Sequence, residues 1–257
     1  MFGGGIKLPF DKIHPFTERV VAFLDILGFT RLIQDAERLP HRQPDLFSII
    51  AALDGHVNFD NDSMSSEVPE DAKPKYIFIS DSIIFSTPLR HGKYDGLAGA
   101  VAKSIQIAHK LLARGYLMQG GISVGSVWHT PTNIFGTGYI DAWLTQDKLE
   151  HPQIILTDAA QKHWNTNLKD KIGNLCLPTT DGKLMLDALD PYYIQGNGQI
   201  HGIIEQEFRQ YRNIISQRID DFSPESSPGR KWRWEADYFN KAVQNHGINV
   251  MPIDLTK

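Results

Sequence analysis

The sequence predicts an α+β fold, an α/β sandwich on a ferredoxin-like βαββαβ core with extra strands and a C-terminal helical extension. Three observations carry this. Apolar, β-prone runs recur at VVAFLDIL (20–27), at KYIFISDSIIFSTP (75–88) and at GYLMQGGISVGSVW (115–128). Segments of helical period separate them. The full order reads β-α-α-β-β-α-β-α-β-α-β-β, and its first half has the ferredoxin-like arrangement with right-handed crossovers.

Each element follows from its residues. Residues 20–27 are apolar and end at a glycine, as a buried strand does. FTRLIQDAERL (29–39) places Phe29, Leu32, Ile33 and Ala36 on one helical face. Pro40 and Pro44 are expected to break that helix, and Asp45 to cap a second one through DLFSIIAALDGHV. The polar stretch 58–74 reads as an exposed, mobile loop. Ser80-Asp81 then parts two β-prone runs, so a hairpin is expected with Asp81 at its tip. An amphipathic helix spans about 94–114. In the strand after it, Gly120, Gly121 and Gly125 permit close backbone approach. A helix over 136–149, a strand at PQIILTD and a helix at DAAQKHWNTNL follow, and NLCLP is expected to pair with GKLMLDAL across TTDG. Two helices joined by FSPESSPG close the chain. The domain reading is 1–190 as the main body and 191–257 as a helical extension packed on it, its Trp232 and Trp234 serving as packing aromatics.

Composition narrows the function. The 257 residues are 41% hydrophobic and 22% charged, with a net charge of −4, so no basic excess marks a nucleic-acid binder. The single cysteine, Cys176, excludes an internal disulfide and a cysteine-rich zinc site. The ten histidines show no metal-ligand spacing. The first residues lack the apolar core of a signal peptide, and no run is long enough to span a membrane. A cytoplasmic protein without nucleic-acid or membrane partners is expected.

Two aspartates carry the chemistry. Asp25 ends the first strand and Asp81 tips the hairpin, and the ferredoxin-like order sets that strand beside that hairpin. Two close carboxylates repel unless a cation lies between them, and Mg²⁺-type ions use one or two carboxylates plus water and phosphate oxygens. Gly28, Phe29 and Thr30 open a helix directly after Asp25, where free backbone N–H groups suit an anion such as a triphosphate.

At FLDILGFT, FISDSIIF and GGISVGSVW…NIFGTGYIDAWL the chain resembles the class III nucleotide cyclases, over about residues 18–160. The resemblance implies two Mg²⁺ or Mn²⁺ ions per site, held by Asp25, the Ile26 carbonyl and Asp81. It also implies triphosphate binding by Phe29 and Thr30, a homodimer with sites at the interface, and a 3′,5′-cyclic nucleotide as product. The sequence departs from the family pattern at four positions. Ile77 stands where adenylate cyclases carry a base-reading lysine, and Asn133 where they carry an aspartate. Ile140 and Leu144 replace the Asn and Arg that steady the transition state. Gln119, Arg114, Lys148 and Lys183 are candidate substitutes for that pair.

The length, the lone cyclase-like domain and the phrase GGISVGSVW with NIFGTGYIDA resemble the bacterial pyrimidine cyclases of antiphage defence. That implies UTP, or else CTP, as substrate and cyclic UMP or cyclic CMP as a messenger. Two alternatives stay open. One is a non-catalytic nucleotide-binding regulator. The other is a dinucleotide cyclase, whose Gly-Gly-Asp/Glu-Glu/Asp-Phe hairpin is absent here.

Overall fold

The computed structural model describes residues 15–62, 73–194 and 201–255. In chain order the elements are β1 (Thr17–Ile26), α1 (Phe29–Arg38), α2 (Gln43–Asp62), β2 (Lys75–Ile79), β3 (Ser82–Pro88), β4 (Arg90–His91), β5 (Tyr94–Asp95) and α3 (Gly96–Leu112). Then come β6 (Met118–His129), β7 (Ile134–Phe135), α4 (Thr137–Asp147), β8 (Ile154–Leu156), α5 (Asp158–Asn167), α6 (Lys169–Ile172), β9 (Cys176–Pro178), β10 (Leu184–Leu186), α7 (His201–Asp221) and α8 (Ser227–Asn245).

The fold is mixed α+β. Among the described residues the main sheet runs β2-β3-β1-β6-β8-β10-β9, with β7 paired to β6. Its first four strands are antiparallel neighbours in the expected ferredoxin-like order, and β6 with β8 is a parallel pair. The hairpin, the first strand and the β9–β10 pairing all fall where the residues indicated. The small β4–β5 ribbon was not foreseen, because two-residue strands leave no periodic signal.

Two expectations are corrected. Asp45 does not cap α2. The helix starts at Gln43 with Pro44 in its first turn, where proline costs no intrahelical bond, and Asp45 pairs with Arg42 at 3.0 Å. The stretch read as a loop from 58 is helical as far as Asp62, since the apolar residues before it carry the helix through a polar end. Residues 63–72 of that stretch lie outside the described residues.

Alternation along β1 sets up the site. Val20, Ala22, Leu24 and Ile26 are buried in the main core, with α3 and α1. Val21 and Phe23 face the other way, into a smaller cluster with Ile84, Val127 and Ala142 of α4. By the period of two, Asp25 belongs to this second row. α4 lies very close to β6. A Cβ on Gly121 would sit 2.2 Å from the Ala142 carbonyl oxygen, and one on Gly125 would sit 2.9 Å from the Gly138 Cα. These two glycines let helix and strand backbones touch.

The C-terminal helices form a second core with the body. Phe208, Tyr211, Ile215, Trp232, Ala236 and Phe239 bury against Leu112, Leu117 and Leu189. Burial of each large side chain is worth roughly 1.5–3 kcal/mol. Polar ties fix the orientation. His109 of α3 has Nε2 2.9 Å from the Asp190 carbonyl oxygen and Nδ1 3.1 Å from the Tyr211 hydroxyl. A carbonyl only accepts, so Nε2 carries the proton and Nδ1 accepts from Tyr211. The Tyr238 hydroxyl and His246 both donate to Asp187, at 2.6 and 2.8 Å.

Gly121→Ala is expected to cost about 1–3 kcal/mol in urea unfolding, because backbone must give way. Gly99→Ala, at an exposed α3 position with open space around it, is expected to gain about 0.5–1 kcal/mol. Burial holds His109 down at about 4, so the fold favours its neutral form. That contribution is intact above about pH 6.5 and is lost as pH falls toward 4. Between pH 7 and pH 5 the wild type is expected to lose about 2 kcal/mol more than His109→Gln, which keeps one donor and one acceptor.

Candidate active site

The β2–β3 hairpin turns through Ser80 and Asp81, with Ile79 paired to Ser82. Ser80 has φ 56°, the left-handed region that a two-residue hairpin loop demands of one or both residues. The tip is tied to β1, as the Ile26 N–H donates to the Asp81 carbonyl at 3.0 Å. This bond brings the two aspartates, distant in sequence, to one end of the sheet. Asp25 is half-buried, and its pKa is raised to about 6, by burial first and by the Asp81 carboxylate second. Lys231 of α8 pulls it back down.

Asp25 pairs in register with Ser82 on one side and Gln119 on the other. Gln119 is buried, and the Lys231 ammonium donates to its Oε1 at 3.3 Å. Gly28 follows with φ 84°, leading α1 with no side-chain cap on the helix. Phe29 is buried in the main core, whereas Thr30 is exposed. The left-handed Gly28 lets the chain reverse within two residues, so α1 starts close to the carboxylates.

Beside Gly28 opens a cleft of about 470 Å³ between α1, the segment Gly115–Leu117 and helices α7 and α8. Arg31, Arg42, Arg218 and Lys231 line it against Asp35 and Asp221, together with Tyr116, Phe222 and Trp232.

The remaining candidates are dispersed. Ile77 pairs with Ile84 and packs on the small cluster under α4, a wall that offers no hydrogen bond. Asn133 is exposed in the turn between β6 and β7. β1 and β6 run side by side from Ile26–Met118 to Thr17–Val127, and Asn133 lies past that far end. Asn133 lies beside Thr130, and at about 3.3 Å per residue along β6 from Gln119 this is roughly 35 Å from Asp25, so one chain does not join the two. Ile140 and Leu144 are exposed on α4. Of the substitute donors, Gln119 is the register neighbour of Asp25. Arg114 binds Ser48, Lys183 pairs with Asp158, and Lys148 caps α4. Trp232 is buried and Trp234 stacks on His151, with ring centroids 5.5 Å apart, so both are packing aromatics.

Sequence reading missed Lys231, Arg218 and Tyr116. Nothing local marks them: Lys231 and Arg218 enter by packing of the extension on the body, and Tyr116, between α3 and β6, lines the cleft that this packing forms.

No family model matches the sequence, and no curated protein matches it. Solved structures similar to it include the dimeric guanylyl cyclase domain of a fusion protein from the aquatic fungus Blastocladiella emersonii. That match has 11% identity and a TM-score of 0.47, covering 66% of this chain and 93% of that one. The guanylate cyclase domain from Catenaria anguillulae, solved with GTP, matches at 14% identity and a TM-score of 0.42, over 66% and 94%. A class III adenylyl cyclase-like ATP-binding protein from Pseudomonas aeruginosa matches at 13% and 0.40, over 57% and 34%. Likenesses at this level set no constraint on activity. Among the described residues no helix is long and apolar enough to cross a membrane.

Among the described residues no group of three or more His, Cys, Asp or Glu converges. Asp25 and Asp81, with the Ile26 carbonyl that the sequence resemblance adds, would suit a hard divalent ion that completes its shell with water and phosphate oxygens. The sign of the Asp25 shift gives a test. The fold favours the protonated carboxyl, so ionisation costs stability as pH rises from about 3.8 through 6. Asp25→Asn is expected to be more stable than wild type by about 1–2 kcal/mol at pH 7.5 without metal. Mn²⁺ is expected to raise the melting temperature of the wild type and to leave Asp25→Asn unmoved in the same thermal-shift series.

Proposed function

We propose that this chain is a class III-type nucleotide cyclase acting on a pyrimidine nucleoside triphosphate, UTP before CTP. The observation that carries the reading is the meeting of Asp25 and Asp81 beside the uncapped, Gly28-led start of α1. A carboxylate pair offset only in part by Lys231 is a standing cost, and a divalent cation next to an anion-binding helix start would remove it. Asp25, Asp81 and the Ile26 carbonyl would hold Mg²⁺ or Mn²⁺, two ions per site. Such ions neutralise phosphate charge and acidify an attacking hydroxyl.

The chain's own groups then have distinct tasks. The amides from Gly28 to Thr30 hold the triphosphate. Ile77 gives an apolar wall to the base. The ribose 3′-oxygen attacks the α-phosphorus, its proton leaves to water, and pyrophosphate departs. Asn133 enters from a second copy, in a homodimer with shared sites. That arrangement is supported by its distance from Asp25 and by the exposed apolar Ile140, Trp143 and Leu144 on α4. Residues 1–190 are the catalytic domain and 191–257 its extension, in a cytoplasmic enzyme making a cyclic UMP or cyclic CMP messenger for antiphage defence. The pyrimidine preference and the defence role are supported by the sequence resemblance alone.

A second reading, a nucleotide-binding regulator without turnover, is favoured by one observation: α4 presents Ile140 and Leu144 where charged or amide groups would steady the transition state. Incubation with each of the four nucleoside triphosphates and Mn²⁺ separates the two. The wild type is expected to form a cyclic pyrimidine mononucleotide, and Asp25→Asn and Asp81→Asn to lose at least about 10³-fold in rate. Binding of nucleotide with no cyclic product from any of the four would overturn the enzyme reading and leave the regulator.

A further inference from the structure

We infer that the cleft between α1 and the two C-terminal helices is the seat of the substrate's β- and γ-phosphates, with Lys231 and Arg218 as phosphate-binding groups supplied by the extension. This deepens the proposed cyclase reading and rests on it.

Three observations place an anion there. First, the cleft is open, at about 470 Å³, and within the range of roughly 300–1,000 Å³ that small-molecule sites occupy. Second, cations gather there. Arg31, Arg42, Arg218 and Lys231 line it with Asp35 and Asp221, while Arg42 is also paired with Asp45 at 3.0 Å and Lys231 acts on the Asp25 carboxylate. Arg31 and Arg218 are only loosely paired with Asp35 and Asp221, at 3.9 and 3.7 Å. Third, the cleft is continuous with the carboxylate end of the sheet. Gly28 is on its rim, and Lys231 reaches from it to Gln119, the register neighbour of Asp25.

The wall is fixed rather than adaptable. Arg218 donates to the Gly115 carbonyl at 3.3 Å and lies over the Trp232 ring at 6.0 Å, and Trp232 is itself buried. Lys231 directly precedes Trp232 on α8, so its backbone is anchored by that buried ring. A substrate whose α-phosphorus lies at the carboxylates would extend its terminal phosphates past Gly28 into this cleft. Pyrophosphate, the leaving group, would be the last species held there. Lys231 would then neutralise charge that grows on the leaving oxygen, a role the apolar α4 positions cannot fill.

The test uses the full-length protein and inorganic pyrophosphate with Mn²⁺, read by calorimetry, so that it needs no turnover. Pyrophosphate is expected to bind the wild type. Lys231→Gln and Arg218→Gln are each expected to weaken it at least tenfold, Lys231→Arg to retain most of it, and Lys241→Gln, on the exposed side of α8, to change nothing. Arg42→Gln, at the cleft rim and remote from the α7–α8 core, gives a weaker loss and guards against misfolding of the other variants. If the wild type cyclises nucleotide, Lys231→Gln should also raise KM and weaken product inhibition by pyrophosphate.

Undiminished pyrophosphate binding in Lys231→Gln and Arg218→Gln, or none in the wild type, overturns the phosphate seat whatever the cyclase assay shows. Loss of binding in those variants, with no cyclic product from any nucleotide, upholds the seat and rejects only the cyclase reading.

Discussion

Two carboxylates at one end of a sheet repel, and the arrangement around Asp25 and Asp81 is organised by that repulsion. The hydrogen bond from Ile26 to the Asp81 carbonyl holds the hairpin tip against β1, so the acids cannot drift apart to relieve it. Burial first and that repulsion second drive Asp25 toward its protonated form. Beneath it, Val20 to Leu24 of β1 are almost wholly inaccessible to solvent. That buried ladder supplies the rigidity against which an unfavourable charge pair can be held.

The same strand explains why an aspartate is tolerated in an apolar run. Asp25 is third in the row begun by Val21 and Phe23. α4, drawn onto β6 by Gly121 and Gly125, buries the first two and leaves the third half-exposed beside Gln119 and Lys231. Water, a lysine and the cleft therefore share the carboxylate. Deep burial without them would cost several kcal/mol.

The C-terminal helices are more than a cover. Their own core with Leu112, Leu117 and Leu189 fixes α7 and α8 on the body, and the cleft exists only because they are there. On the face that carries α4, Ile79 of β2 and Ile140, Trp143 and Leu144 of α4 remain exposed and apolar. In the proposed dimer this surface meets the second copy. The geometry would then divide the labour, with phosphate held within one chain and the base enclosed between two.

Much of this was legible in the residues. Alternation and helical period are local signals, so β1, the Ser80-Asp81 hairpin, α3 and the β9–β10 pairing could be read directly, and with them the neighbours of Asp25. The end of α2 and its start at Gln43 could not, because a proline in a first turn and a polar helix end look like loop. The sequence by itself determined the order of the main strands and helices and picked out the two aspartates. Only the tertiary structure decided that Gln119 lies beside Asp25, that Asn133 stays an entire strand length away from it, and that Lys231 and Arg218 line one cleft. Those facts depend on the packing of segments about 100 residues or more apart, and no local pattern encodes the meeting of side chains across such a separation.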